Sequence, residues 1–373
     1  MTLLPYSDLA QCFWRFDCPT RVLACANRER GVQVLPALVS EYGRQPAIIT
    51  DEGVRQTGFF QTMVKPLQRE IFLVGGDGHA DAIREVIKAL PAGTDCLVAV
   101  GGGSVLDAAK CIAAAVPGQL DPAELPHRTD LAEPPLDLVC LPTTFGTGSE
   151  ANHTSHLRDG AQKISFKKPW LSPQAALLVG DAAKELSEDS RFLTGLDAWI
   201  HVLEVRTLKR ERSPLQDALM DHALALADEH FAAFTASGCE TSGQAMAAVS
   251  FIGGMGIHNA RTGLMHTLAV PFAECTGLPH NQSLLPFLEP VLRFHWPGFS
   301  QVLGMDWPQF LKGTGGFMLT RAEALMKRSS RPEIKKHIPQ MVDACLRDRV
   351  ILKENPAPLS RDSFVSLYDQ ALV

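Results

Sequence analysis

Five apolar residues, Cys96, Leu97, Val98, Ala99 and Val100, run directly into Gly101, Gly102 and Gly103, and then into Ser104, Val105, Leu106 and Asp107. An apolar run of this length ended by glycines describes a buried strand that turns sharply into whatever follows. The next stretch, 105–115, is rich in alanine and carries helical periodicity. Glycines at such a junction let backbone N–H groups come close to a pyrophosphate at a helix N-terminus, where the helix dipole favours an anion. Taken alone, the triplet also suits an ordinary tight strand–helix turn.

Other short runs repeat the pattern. Residues 46–50 read as a strand ending at Asp51, 70–74 as another, and 136–141 as one stopped by Pro142, with helical stretches at 79–90 and 105–115. Strands separated by helices imply βαβ units and a parallel, doubly wound sheet. From about residue 186 the character changes, and helical periodicity dominates 192–208, 213–236, 242–256 and 322–328. At 373 residues the chain also exceeds what one core usually holds. The expected architecture is therefore an α/β N-terminal, Rossmann-like parallel sheet followed by an all-α C-terminal domain. The expected boundaries are 1–185 for the α/β half and 186–373 for the helical half.

Composition removes several classes. A net charge of −6 argues against nucleic acid or an anionic membrane as the main partner. The nine cysteines are scattered without a CxxC pair, so neither a disulfide framework nor a cysteine metal site is expected. Cys96, Cys111 and Cys140 lie in apolar runs and read as buried thiols. No apolar stretch is long enough to span a bilayer, and the N-terminal segment lacks a basic-then-apolar signal pattern. The cytoplasm is the expected location.

A second loop, Pro142 to Glu150, follows the fourth strand and carries Thr143, Thr144, Thr147 and Ser149, whose hydroxyls suit ribose and phosphate oxygens. Such residues also build ordinary turns. Asp51, at the end of its strand, can accept from both ribose hydroxyls of NAD and would repel the extra phosphate of NADP. Its other reading is a helix N-cap. Further on, Asp197 and His201 stand four apart on one helix face, a spacing shared by salt bridges and core histidines. His266 and His280 add two imidazoles. One carboxylate with three imidazoles suits Fe(II) or Zn(II) with a position open for a substrate oxygen.

Together these segments resemble the iron-containing (group III) alcohol dehydrogenase family. The resemblance rests on 101–110, 141–150, the Asp197/His201 pair, the spacing from His266 to His280, the stretch 49–53, Gly195 before Asp197, Glu204 after His201, and Asn355 with Pro356. It implies an α/β domain before a helical one. It also implies a divalent metal on Asp197, His201, His266 and His280, and a dinucleotide on Gly101, Gly102, Gly103, Ser104, Asp107, Thr143, Thr144, Thr147 and Ser149. Lys163 resembles a family lysine that reaches the cofactor ribose, the alternative being a solvated surface lysine. The implied activity is hydride transfer between NAD(H), rather than NADP(H), and a small alcohol or aldehyde, by a homodimer.

Departures from the family bear on the substrate. Val270 stands where a second histidine is frequent, Asn281 where a glycine follows the Pro-His pair, and Gly180 and Asp181 where the family's valine–aspartate–proline stretch differs. His258 and Arg261 precede His266, and His153, Thr154 and His156 follow the second loop. A guanidinium near a catalytic metal is costly unless paired, so Arg261 points either to an anionic group on the substrate or to an interface ion pair. Family branches that reduce phosphonoacetaldehyde are similar in lacking the second histidine. The expectation is an aldehyde reductase for a phosphonate- or carboxylate-bearing substrate, with His258, Arg261 and His156 as catalytic candidates. Plain-alcohol, glycerol or maleylacetate-type dehydrogenases, or a lyase of the dehydroquinate-synthase type, are the alternatives.

Overall fold

The computed structural model describes residues 15–75, 78–160, 162–210, 213–326 and 332–372. Its first half alternates β1 (Arg21–Cys25), α1 (Arg28–Tyr42), β2 (Pro46–Thr50), α2 (Glu52–Arg55), α3 (Gly58–Met63), β3 (Ile71–Leu73), α4 (Ala80–Ala89), β4 (Cys96–Gly101), α5 (Gly103–Ala115) and β5 (Asp137–Pro142). Then come β6 (Thr154–Asp159), β7 (Gln162–Lys167) and β8 (Ala175–Val179). Six strands form one parallel sheet in the order β1-β8-β5-β4-β2-β3. The central β4 pairs on both sides, Val98 lying opposite Ile48 on β2 and Val139 on β5.

Every residue of β2, β4 and β8 is buried. Strands covered on both faces read as continuous apolar runs, which is why 46–50 and 96–100 are legible in the sequence. The edge strands are wetter, with Val22 on β1 and Ile71 and Leu73 on β3 exposed. From β2 the sheet grows outward to β3, then returns to place β4 on the other side of β2. That reversal puts the carboxyl ends of β2 and β4, Asp51 and the glycine triplet, side by side at the crevice where doubly wound sheets take ligands.

Among the described residues no strand follows β8. The helices are α6 (Glu188–Thr207), α7 (Pro214–Ser237), α8 (Glu240–Asn259), α9 (Leu264–Thr276), α10 (His280–Ser283), α11 (Leu288–Leu303), α12 (Trp307–Lys312), α13 (Thr314–Met326), α14 (Ile338–Arg347), α15 (Arg349–Glu354) and α16 (Arg361–Ala371). No helix among the described residues is long and apolar enough to cross a membrane. The α/β half followed by a helical half is the architecture expected from the sequence. Of the helical stretch expected at 322–328, residues 327 and 328 lie outside the described residues.

Four strands lie outside the sequence reading: β1, β8 and the antiparallel hairpin β6–β7. β8 is Ala-Ala-Leu-Leu-Val, poor in β-branched residues, and the hairpin strands are mostly polar, with Arg158, Asp159, Lys163 and Lys167 among them. Neither looks like a strand until the sheet or α5 supplies a partner.

α8 is where the two halves meet most closely, through glycine. A Cβ on Gly243 would lie 1.8 Å from the carbonyl oxygen of Gly180, just past β8, and one on Gly254 would lie 2.1 Å from that of Gly148. Backbone cannot yield at such distances as a flexible side chain would. Gly243→Ala is therefore expected to cost about 1–3 kcal/mol by overpacking. A urea denaturation midpoint unchanged from the native protein would show that α8 can retreat from β8.

Candidate metal and cofactor site

α6 begins at Ser187, whose side chain accepts from Ser190 N, with Glu188 and Asp189 in its first turn. Helical spacing then stacks Asp197, His201 and Glu204 on one face, all buried. α9 and the start of α10 bring His266 and His280 to that face. Three Nε2 atoms converge on one carboxylate oxygen, Asp197 Oδ1: His266 at 3.3 Å, His201 at 3.5 Å and His280 at 3.8 Å. One potential ligand atom from each of Asp197, His201 and His266 lies within 4.8 Å of the others. The rings of His201 and His266 stack at 4.5 Å, and those of His266 and His280 tilt at 5.3 Å.

The far sides of two rings are already fixed. His201 Nδ1 lies 3.1 Å from Gly146 O, and His266 Nδ1 lies 2.6 Å from Glu204 Oε2. The Glu204 carboxylate also accepts from Gly263 N at 2.7 Å and Met265 N at 2.6 Å. Outer partners of this kind set which ring nitrogen is free and which way it points. Burial alone would neutralise His266, but Glu204 and Asp197 outweigh it and hold the imidazole up at about 9. Burial pushes Asp197 up as well, yet the three imidazoles win and hold it well below the usual carboxylate range. Burial dominates at His280 and drives it down to about 3. Two buried carboxylates facing three imidazoles are a donor set built around positive charge. One oxygen and three nitrogens, with the outer edges of the His201 and His266 rings anchored, fit Fe(II) or Zn(II). His280 keeps 35% of its side chain exposed, so the cluster opens to solvent on that side.

The glycine turn lies across the crevice from this cluster. α5 starts at Gly102 with no side-chain cap, leaving its first N–H groups without a side-chain acceptor. Cβ atoms on Gly102 and Gly103 would meet Thr144 Oγ1 at 3.1 Å and the Thr147 side chain at 2.8 Å. The two loops thus pack face to face. Ser104 is exposed and Thr144 and Thr147 half-buried, whereas Thr143 is buried with its N–H on Gly101 O. Asp51 caps α2, its Oδ1 accepting from Val54 N. Lys163 is exposed on β7 opposite Arg158.

Asp107 and Ser149 face inward, away from the loop surface. Ser149 Oγ donates to Asp107 Oδ1 at 2.5 Å, and Asp107 Oδ2 takes both the backbone N–H of His156, at 3.0 Å, and its Nδ1, at 2.8 Å. Lys110, fully buried, donates to Ser149 Oγ and to Thr154 O, both at 2.8 Å. This polar knot binds α5 to the second loop and to β6. It leaves the His156 ring held by Asp107 with nearly half its side chain exposed. Arg261 is likewise committed: both its terminal nitrogens pair with Asp348, one at 2.8 Å, and its Nε donates to Thr262 O. Asp348 in turn caps α15. Val270 lies on the exposed side of α9, one turn past His266.

Glu204 entered the sequence reading only through resemblance, although its position seven residues after Asp197 places it on the same helical face. Lys167 was missed. It lies at the end of β7, exposed yet walled by Arg261 and Arg210, and burial together with those charges lowers it to about 8.

Comparison with known proteins agrees with this arrangement. The profile described as iron-containing alcohol dehydrogenase matches residues 26–179, and the C-terminal profile of the same family matches 192–303. The chain belongs to the iron-containing alcohol dehydrogenase family. A probable alcohol dehydrogenase, EutG, of Salmonella typhimurium is 30% identical over 220 residues, 58% of this chain. The alignment spans 55% of that relative's own length. Two solved structures extend over almost the whole chain. An iron-containing alcohol dehydrogenase from Thermotoga maritima aligns at 23% identity with a TM-score of 0.78, covering 96% of this chain and 99% of its own. A sulfoacetaldehyde reductase from Bifidobacterium kashiwanohense, in complex with NAD+, aligns at 18% identity with a TM-score of 0.82, covering 96% and 98%. At these identities the likeness is one of fold.

Glu204 supplies a direct test of the donor set. Glu204→Gln keeps the shape but removes the charge that orients His266, so affinity for a divalent ion should fall roughly ten- to a hundredfold while the fold is retained. Metal titration of the apo-protein, followed by equilibrium dialysis and elemental analysis, checks this. Native affinity in the variant would show that His266 needs no outer partner.

Proposed function

We propose that this chain is a metal-dependent oxidoreductase that passes hydride between NAD(H) and a small alcohol or aldehyde, working as a reductase on an aldehyde that carries an anionic group. The observation that carries the reading is the bond between His201 Nδ1 and Gly146 O, which ties the four-ligand cluster to the loop packed on the uncapped start of α5. Residues 1–185 would act as the dinucleotide-binding unit and 186–373 as the metal-binding unit, with the reaction in the cleft between them. The EutG relative is a probable alcohol dehydrogenase, and the sulfoacetaldehyde reductase holds NAD+. Both lend support to the class.

Asp197, His201, His266 and His280 would hold the ion. When bound, the ion supplies Lewis acidity to a substrate oxygen and the nicotinamide supplies or accepts hydride. The chain's own residues do the rest. Gly102 and Gly103, with the first N–H groups of α5, would receive the pyrophosphate, and Thr144 and Thr147 would offer it their hydroxyls. Asp51 keeps Oδ2 for the adenosine ribose while Oδ1 caps α2. His156, fixed by Asp107 with its ring partly in solvent, can accept or release a proton at Nε2. Val270 leaves the turn after His266 without a titratable side chain. The anionic preference is supported by the basic groups on one wall, His153, His258 and Lys167, whereas Arg261 supports that wall through Asp348.

Two outcomes are expected. Metal-loaded enzyme should oxidise NADH with small aldehydes, and His280→Ala should abolish turnover together with metal content. Full turnover in protein shown by elemental analysis to be metal-free would end the proposal. Asp51→Ser should move preference toward NADPH, because a 2′-phosphate beside a carboxylate costs on the order of 1–3 kcal/mol in a partly desolvated site. Ratios of kcat/KM for the two cofactors measure this, and an unchanged ratio would return Asp51 to a helix cap alone.

A further inference from the structure

His153, just before β6, and His258, in the last turn of α8, meet in an unusual way. Their Nδ1 atoms lie 2.6 Å apart, with the rings edge to face at 4.1 Å between centroids. Two nitrogens at that distance must share one proton, since two protons or none would set like against like. In the neutral pair, one ring then presents Nε2–H and the other a bare Nε2. One further proton turns both Nε2 atoms into donors.

The surroundings decide which form is wanted. Burial comes first in lowering both rings, His153 to about 3 and His258 to about 4, and the cations Lys167, Lys110 and Arg15 act in the same direction on both. Asp17 is a carboxylate that acts on the pair, raising His258, and it is itself bound to Arg15 at 2.5 Å. Lys167 on β7 turns its Nζ to the carbonyls of Ile257 and Ala260, both at 3.3 Å. Among the described residues no carboxylate lies within ion-pair reach of Lys167. The N-terminal segment closes one side, with Asp17 N on Asn259 Oδ1 at 2.6 Å and Asn259 Nδ2 on Asp17 O at 2.8 Å. Five cationic or protonatable side chains, His153, His258, Lys167, Lys110 and Arg15, therefore bear on a half-buried spot, and although Asp17 and Asp107 pair with Arg15 and Lys110, the two rings and Lys167 face little negative charge. Positive charge gathered in this way is costly to keep unless an anion offsets it.

Position connects the spot to the reaction. Gly253 packs on His201 and Gly254 on Gly148, and His258 follows one helical turn later, roughly 6 Å along the axis. The helix that packs against His201 is thus the one that carries His258.

We infer that His153 and His258 form a proton-sharing pair that, with Lys167, binds the anionic end of the substrate, and that this end is a tetrahedral oxyanion with three equivalent oxygens, a phosphonate or sulfonate rather than a carboxylate. An oxyanion offers acceptors only, so it opposes the bare Nε2 of the neutral pair and complements the protonated one. Two Nε2–H groups and one ammonium then give three donors for three oxygens. Binding takes one proton from solvent onto the pair. A neutral hydroxyl, able both to donate and to accept, fits the neutral pair and takes up none. This inference rests on the anionic-aldehyde reading above.

The test uses methanesulfonate, which does not titrate near neutrality, so any proton taken up belongs to the protein. Calorimetric titration of the metal- and NAD+-loaded enzyme at about pH 7, in buffers of different ionisation enthalpy, should give uptake of about one proton per anion bound. His258→Asn and His153→Asn should each abolish the uptake and weaken methanesulfonate roughly ten- to a hundredfold. Lys167→Met should weaken binding while leaving the uptake in place. In turnover, His258→Asn should lower the kcat/KM ratio of a sulfonated two-carbon aldehyde over propanal by roughly ten- to a hundredfold. Thermal melts and NADH binding establish that each variant is folded. Absence of methanesulfonate binding, binding without uptake, or uptake that survives both histidine variants would overturn the inference. An enzyme that reduces propanal but fails these anion tests would leave the class of reaction standing. One that binds methanesulfonate with uptake yet reduces no aldehyde would sink the reaction and keep the pair.

Discussion

The loop between β5 and β6 is held between two helices at backbone distance. Gly148 sits in the left-handed region at φ 59° and presses against Gly254 of α8, while Gly146 lies against Thr194 of α6 and lends its carbonyl to His201. No side chain fits on those faces, and a left-handed backbone at Gly148 strains any residue with a Cβ. The spacing between this loop and the cluster of Asp197, His201, His266 and His280 is therefore fixed by backbone against backbone, which yields less than side-chain packing does. A cofactor seated on α5 and an ion seated on α6 would be in register because this loop belongs to both sites.

Behind the loop, the polar knot of Asp107, Lys110, Ser149 and His156 does a second job. Lys110 is a fully buried cation whose desolvation is offset by Asp107, Ser149 and a backbone carbonyl. Buried groups of this kind cost free energy unless each donor finds an acceptor, and their value lies in excluding other arrangements of α5, the loop and β6. Asp107 was read from the sequence as a cofactor contact. Its place in the fold is one layer deeper, and what it offers the crevice is the orientation of His156.

Legibility in the sequence followed the range of the interaction. The buried strands β2 and β4 announce themselves as apolar runs with β-branched residues, whereas β8, equally buried, is built of Ala and Leu and does not. Asp197, His201 and Glu204 lie on one face because helical geometry is local. His266 and His280 could be matched to that face only through family resemblance, since tertiary packing across more than sixty residues brings them there. Arg261 shows the opposite case. Its partner Asp348 lies 87 residues on, so a committed guanidinium and an available one look the same in the chain. Lys167 and the pairing of His153 with His258 are hidden because the β6–β7 strands, Thr-Ser-His-Leu-Arg-Asp and Gln-Lys-Ile-Ser-Phe-Lys, are mostly polar and resemble a solvated loop.

That hairpin is braced at two points along its length. At its root, Thr154 O receives Lys110, Ser155 Oγ donates to Asp107 O, and Lys167 reaches back to the carbonyls of Ile257 and Ala260. At its tip Gly160 turns with φ 54° into open space, with no neighbour within 4 Å of where a side chain would start. Short of that turn, Arg158, which pairs with Lys163, also bridges to His79 ahead of α4. Mechanically the hairpin is a beam propped near both ends, with only the turn itself overhanging. Lys167 at the root and Lys163 beside the second prop both stand on braced backbone, so neither can shift far without carrying a neighbouring element with it.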